Sequence, residues 1–256
     1  MDNRLRYGRF NSSTNGDLMK LAKDKSSFGA PALSLIEEKA MERRLGRSIE
    51  AENSARPLEW GKCVEPIAFE KLGTQYRMCS NETIVHKDYP FWSGTPDMVK
   101  HTTEGLVVAD IKCPITLKSF CTFIDAYAKN GIQGVRDNHK DGEKYYWQLV
   151  SNAVLTGCNK AELVIYMPYY DELDEVKRTA EIFPYQWIVF AHEMELPYLI
   201  KGNHYTNINV LPFDIPQDDI DALTTNIIKA NELCTDFSFP ITIHDNNITI
   251  HDSIKA

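Results

Sequence analysis

Residues 106–113, Leu-Val-Val-Ala-Asp-Ile-Lys-Cys, join an apolar run that demands burial to a charged pair that resists it. Side chains alternate along a strand, so Asp110 and Lys112 share one face while Ile111 points to the opposite, apolar side. An earlier extended run, 92–100, is separated from this one by His-Thr-Thr-Glu-Gly, and the two read as a β-hairpin. Asp97, directly after Pro96, lies on the first strand. Carboxylates and an ammonium at the end of a buried strand are costly unless they neutralise one another or serve a ligand. Two carboxylates beside a lysine offer oxygen-only ligation, which suits Mg²⁺ or Mn²⁺ and not Zn²⁺. The plain alternative is a salt bridge across the hairpin.

The rest of the composition narrows the classes. A chain of 256 residues can bury a full core as one large domain or two small ones. The six cysteines (63, 79, 113, 121, 158, 234) contain no Cys-x-x-Cys pair, which leaves zinc and iron–sulfur sites unsupported and predicts reduced thiols. No stretch approaches the roughly 18 apolar residues of a membrane span, and the N-terminus lacks a secretory pattern. Net charge is −8, unevenly spread: residues 1–50 balance at +3, residues 51–168 at −1 and residues 169–256 at −10. The basic end is the one suited to phosphates, and the acidic end is expected to face away or toward a partner.

In chain order, Asn15 to about Lys23 reads as a helix capped by Ser12 or Ser13. Residues 31–46 form a second helix, opened by Pro31 and closed by Gly46, with Leu33, Ile36, Ala40 and Leu45 buried and the charges from Glu37 to Arg44 solvated. Residues 57–72 form a third. Lys118 to Ala128 is a helix or loop, 129–142 a mobile loop, and 143–157 a strong helix ending at Gly157. Tyr145, Leu149, Asn152 and Ala153 share one side of that helix, with Gln148 on an adjacent stripe. The β-rich runs 161–168 and 183–192 extend the sheet. A last helix starts at Pro216 and buries Ile220, Leu223 and Ile227, and 241–250 reads as a small hairpin.

Gly94-Thr-Pro-Asp97 followed by Asp110-Ile-Lys112 resembles the PD-(D/E)XK nuclease signature, and the trailing Cys113-Pro114 is similar to the lambda exonuclease and YqaJ-like viral recombinase nucleases. The likeness spans about residues 4–170. It implies an α/β fold with a restriction-endonuclease-like core, a central mixed sheet flanked by helices, as one domain over 1–256 with 195–256 as a C-terminal extension. It implies Mg²⁺, with Mn²⁺ able to substitute, held by Asp97, Asp110, the Ile111 carbonyl and Glu65. Glu65 follows Trp60-Gly61 as in the family's acidic helix; spacing alone leaves Glu59 and Glu70 open. Lys112 is implied as the catalytic lysine, Gln148 as the glutamine facing it, and Arg6 with Ser13 as the grip on a DNA 5′-phosphate. Asp110 stands where the lambda-type pattern carries the longer Glu.

The activity implied is 5′→3′ digestion of linear double-stranded DNA, leaving 3′ single strands for recombination. The partners implied are DNA ends, an annealing protein or recombinase, and further copies of the chain, as a trimer, with no membrane. The setting implied is a phage or prophage protein in the bacterial cytoplasm. An endonuclease with the same site and a catalytically silent DNA-binding subunit are the two rival readings.

Overall fold

The computed structural model describes residues 5–24, 27–49, 55–79, 81–236, 241–244 and 247–250. Its strands are β1 (Phe10–Asn11), β2 (Tyr76–Met78), β3 (Ile84–Val85), β4 (Trp92–Gly94), β5 (Met98–Thr102), β6 (Gly105–Lys112), β7 (Lys160–Tyr166), β8 (Ile208–Asp214), β9 (Ile241–His244) and β10 (Asn247–Ile250). Its helices are α1 (Ala30–Leu45), α2 (Arg56–Lys71), α3 (Leu117–Asn138), α4 (Gly142–Thr156), α5 (Leu173–Ile182), α6 (Gln186–Val189) and α7 (Gln217–Asp236).

Five strands make the main sheet, in the order β2-β5-β6-β7-β8. The β6–β7 pair is parallel and the other three are antiparallel, so the sheet is mixed. A smaller mixed sheet has the order β1-β4-β3. Alternation along β6 and β7 divides the core in two. Val108, Leu163 and Ile165 pack with α1, α3, α4 and α7, while Ala109, Ile111, Val164 and Tyr166 pack with α2 and α5. Each such fully buried aliphatic side chain contributes about 1.5–3 kcal/mol. Helices on both faces therefore cover β6, and its polar pair is carried into the interior by its apolar neighbours.

The elements expected from the sequence survive with several corrections. The extended run 92–100 is two strands, because β4 belongs to the small sheet and β5 to the main one, with Thr95 to Asp97 crossing between them. The helix expected from Asn15 to Lys23 is a short 3-10 turn, Asn15–Met19, whose N-cap is Thr14 without a side-chain bond. Ser12 instead pairs its hydroxyl with that of Ser151 at 2.8 Å.

In α1, Leu33 and Leu45 are exposed, and Ala32 and Leu35 take their places in the core. Lys39 and Glu42, expected on a solvated face, are 2 % and 1 % exposed. The stretch 129–142, expected as a loop, is helical to Asn138, with a break at Asn130 and Gly131. The run 183–192 holds the short helix α6 where a strand was expected, and the edge strand beside β7 is β8, which was not anticipated.

Gly46 and Gly157 close α1 and α4 in the left-handed conformation, as their positions required. Pro216 precedes α7, whose Leu223 and Ile227 are fully buried. The hairpin at 241–250 is present as the antiparallel pair β9–β10.

Candidate active site

The register of β6 sets the site. Asp110 lies opposite Leu163 and Lys112 opposite Ile165, both turned toward α4. Asp97 arrives at the start of β5, where the chain has just changed sheets. Its Oδ2 accepts the Ile111 N–H at 2.8 Å, and its own N–H points to Asp110 Oδ1 at 3.4 Å. The two aspartates are thereby tied through the backbone of each other's strand. Asn152 of α4 donates its amide to the same Asp110 Oδ1 at 3.2 Å.

The other oxygen of Asp110, Oδ2, is buried with no hydrogen-bond donor. The Lys112 ammonium faces it at 3.7 Å and is 3.9 Å from Asp97 Oδ2. Both distances exceed a hydrogen bond, so Lys112 is held by charge and keeps its N–H donors unspent. The Tyr145 ring caps it, with Nζ 5.1 Å from the ring centroid.

The electrostatics follow from this crowding. Burial pushes the Asp97 carboxyl well above its ordinary range, and Asp110 adds to the rise while Lys112 opposes it. Burial also raises Glu65, on α2, with Lys112 opposing and Asp110 reinforcing the shift. For Lys112, burial disfavours the charged form, but Asp110 and Asp97 outweigh it and the net shift is upward. With all three carboxyls ionised, the group would carry more negative charge than one lysine neutralises, and the upward shifts of Asp97 and Glu65 relieve that excess.

Among the described residues no three His, Cys, Asp or Glu side chains are gathered into a ready metal cage. The orphaned Asp110 Oδ2 and the all-oxygen character of Asp97, Asp110 and Glu65 nonetheless fit a hard divalent cation. All six cysteines are free thiols.

A cleft of about 420 Å³ opens over this cluster. Gly61, Lys62 and Glu65 of α2 form one wall, and Ser119, Lys144, Tyr145 and Gln148 of α3 and α4 form the other. Ile111 to Ile115 make the floor. Of the residues marked from the sequence, the structure brings Glu65, Ile111, Lys112, Gln148 and Ser13 to this cleft, with Asp97 and Asp110 bound to its floor. Arg6 is not among the lining residues; its carbonyl accepts the Asn11 amide at 3.0 Å.

Three contributors were not assigned from the sequence: Asn152, which orients Asp110; Tyr145, which caps Lys112; and Gly94. A Cβ on Gly94 would stand 2.1 Å from Ser12 Oγ and 2.8 Å from Asn152 Oδ1, so the approach of α4 to the small sheet requires glycine there. The available signal was the spacing of Tyr145 and Asn152, which places both on one side of α4, next to the stripe that carries Gln148.

A mixed sheet sandwiched by helices, with Asp97 and Asp110-x-Lys112 meeting at adjoining strand ends, defines a restriction-endonuclease-like protein. The chain belongs to the YqaJ-like viral recombinase domain family, whose model matches residues 3–159. Its fold is similar to that of solved exonucleases. An alkaline exonuclease from Laribacter hongkongensis superposes with a TM-score of 0.58 at 15 % identity over 92 % of this chain and 93 % of that one. The same enzyme, LHK-Exo, in complex with dAMP gives 0.57 at 16 % identity, covering 91 % of each chain. A phage-related exonuclease from Haemophilus somnus 129PT gives 0.59 at 15 % identity over 92 % of this chain and 99 % of that one. No curated protein matches the chain. No described helix is long and apolar enough to cross a membrane.

Proposed function

We propose that the chain is a Mg²⁺-dependent exonuclease that digests linear double-stranded DNA from the 5′ end, leaving 3′ single strands for phage-type recombination. The observation that carries this reading is the Lys112 ammonium, held within 4 Å of both Asp97 and Asp110 and without a hydrogen bond to either, at the floor of an open cleft. The family match and the exonuclease fold of the structural neighbours support it.

Asp97, Asp110, Glu65 and the Ile111 carbonyl would hold the cation, with Mn²⁺ as substitute. Bound there, it would polarise the phosphodiester and make a water acidic enough to attack. The remaining work belongs to the chain. Lys112 directs its unspent N–H donors at the water or at the phosphate oxygens as negative charge develops. Tyr145 and the two carboxylates keep that ammonium in place, and Asn152 keeps Asp110 in its rotamer. Gln148, whose amide has no hydrogen-bond partner among the described residues and lines the cleft, orients the water or Lys112. Ser13 at the cleft rim, with Arg6 on the same segment, is assigned to the terminal 5′-phosphate. The assembly we propose is a homo-oligomer, a trimer by family likeness, working with an annealing protein or recombinase in the cytoplasm of a phage's host.

Incubating the protein with linear and covalently closed duplex DNA, in Mg²⁺ or EDTA, tests the reading beside Lys112→Ala. Expected is Mg²⁺-dependent loss of linear DNA alone, faster with a 5′-phosphate and absent in the variant. Cutting of closed circles would turn the assignment to an endonuclease. Inertness toward both substrates with Mg²⁺ and with Mn²⁺ would remove the nuclease assignment and leave a DNA-binding subunit.

A further inference from the structure

The far wall of the cleft holds a second polar group that the reaction described above does not use. Ser119, in the first turn of α3, has its hydroxyl 2.8 Å from His139 Nε2. His139 is 6 % exposed, and its ring stacks on Phe123 with centroids 3.6 Å apart. Its other nitrogen, Nδ1, accepts the backbone N–H of Asp141 at 3.1 Å. A nitrogen that accepts carries no proton, so the neutral ring carries its proton on Nε2 and donates it to Ser119 Oγ. Burial favours that neutral form by lowering the His139 pKa.

Ser119 Oγ is thus already an acceptor, and its own hydrogen has no acceptor among the described residues, which leaves it available to a ligand in the cleft that Ser119 lines. Lys144, on the same wall, has no ion pair among the described residues. Lys140, also on this wall, has only a loose one to Asp141 at 3.9 Å. The backbones of this wall pack closely: a Cβ on Gly142 would stand 2.1 Å from the Val135 carbonyl, so α4 starts in direct contact with the end of α3. A hydroxyl anchored by His139, on the same wall as the unpaired Lys144 ammonium and the Lys140 ammonium loosely paired with Asp141, matches an anion carrying several acceptor oxygens.

We propose that Ser119, with Lys144 and Lys140, binds a backbone phosphate of the DNA strand running through the cleft, on the wall built by α3 and α4. The inference rests on the nuclease reading, and its test separates the two. Binding of a fluorescent duplex is measured by anisotropy in EDTA, where no hydrolysis occurs, between about 50 and 200 mM salt. Losing one phosphate contact lowers the slope of log affinity against log salt by about 0.9 on duplex DNA, or about 0.7 on a single strand. The double variant Lys140→Ala/Lys144→Ala is expected to show at least that drop. Ser119→Ala is expected to weaken binding roughly tenfold at one salt concentration with the slope retained, and Ser119→Thr to restore it. Thermal unfolding of each variant confirms the fold. If the wild type binds and cuts DNA while these variants keep its affinity and its slope, the second phosphate position is wrong and the nuclease reading stands. If the wild type binds no DNA, both fall together.

Discussion

Two regions of this molecule bury a lysine among carboxylates, and they do so in opposite ways. In α1, Lys39 hydrogen-bonds Glu42 at 3.0 Å and Glu38 at 2.9 Å. Glu42 also accepts from the Gly8 N–H at 2.8 Å and the Ser48 hydroxyl at 3.1 Å. Burial would raise the Glu42 pKa, but these donors and Lys39 win, and the net shift is downward. At the end of β6 the same ingredients are left unfinished: Lys112 stands 3.7 and 3.9 Å from its partners, Asp110 Oδ2 has no donor, and Asp97 and Glu65 are shifted upward. A satisfied cluster stabilises the fold by itself, whereas an unsatisfied one is stable only because the surrounding core holds it together. The difference between the two clusters lies in the hydrogen-bond count, not in residue type.

The sharpest way to break the comparison is to remove each lysine cluster's central charge and read both activity and stability. Lys112→Ala is expected to lower the rate of DNA hydrolysis by about 10³-fold, with the circular-dichroism melting temperature nearly unchanged. Glu42→Ala is expected to do the reverse. It leaves Lys39 buried without its main partner and costs about 3–5 kcal/mol in urea unfolding, while the folded fraction keeps its turnover per molecule. A large stability loss in Lys112→Ala, or none in Glu42→Ala, would erase the distinction.

Addition of a divalent cation sharpens it further. Mg²⁺ at a hundredfold excess over its dissociation constant is expected to stabilise the wild type by about 2.7 kcal/mol. Asp110→Asn is expected to lose that gain, measured by the shift in melting temperature with and without EDTA. Glu42→Gln is expected to retain it.

The smallest effect is in pH. Because the folded Glu42 carboxyl lies below its ordinary value of 4.5, its contribution to stability is fully present above that value and is lost as pH falls through the depressed folded pKa. The stability difference between wild type and Glu42→Gln should therefore be constant near neutrality and close on acidification below about pH 4, as followed by urea midpoints across pH. A difference that widens with acid would contradict the hydrogen bonds assigned to Glu42.

The strand that carries Asp110 and Lys112 was legible in the sequence more surely than its surroundings. The period of two along β6 placed Asp110 with Lys112 and sent Ile111 the other way, and the structure has all three so arranged. Glycine at 46 and 157 marked two helix ends for the same local reason. Asn152 and Tyr145 were legible as lying on one helical stripe but not as ligands of Asp110 and Lys112, because neither contact involves chain neighbours. The burial of Lys39 and Glu42 was illegible in α1 alone: Glu42 is also bonded by Gly8, more than 30 residues earlier, and without it a charged pair at that spacing belongs in solvent.

What the sequence by itself determined is the chemistry of the strand end and the alternation that keeps its polar pair on one face, since both are properties of a few consecutive residues. Only the tertiary structure decided that Thr95 to Asp97 would cross from one sheet to another, that β8 would form the edge beside β7, and that α4 would lie close enough over Gly94 to hold Asp110 and cap Lys112. Those outcomes depend on which distant surfaces exclude water together, and burial acts on the whole assembled layer while periodicity acts on a single strand.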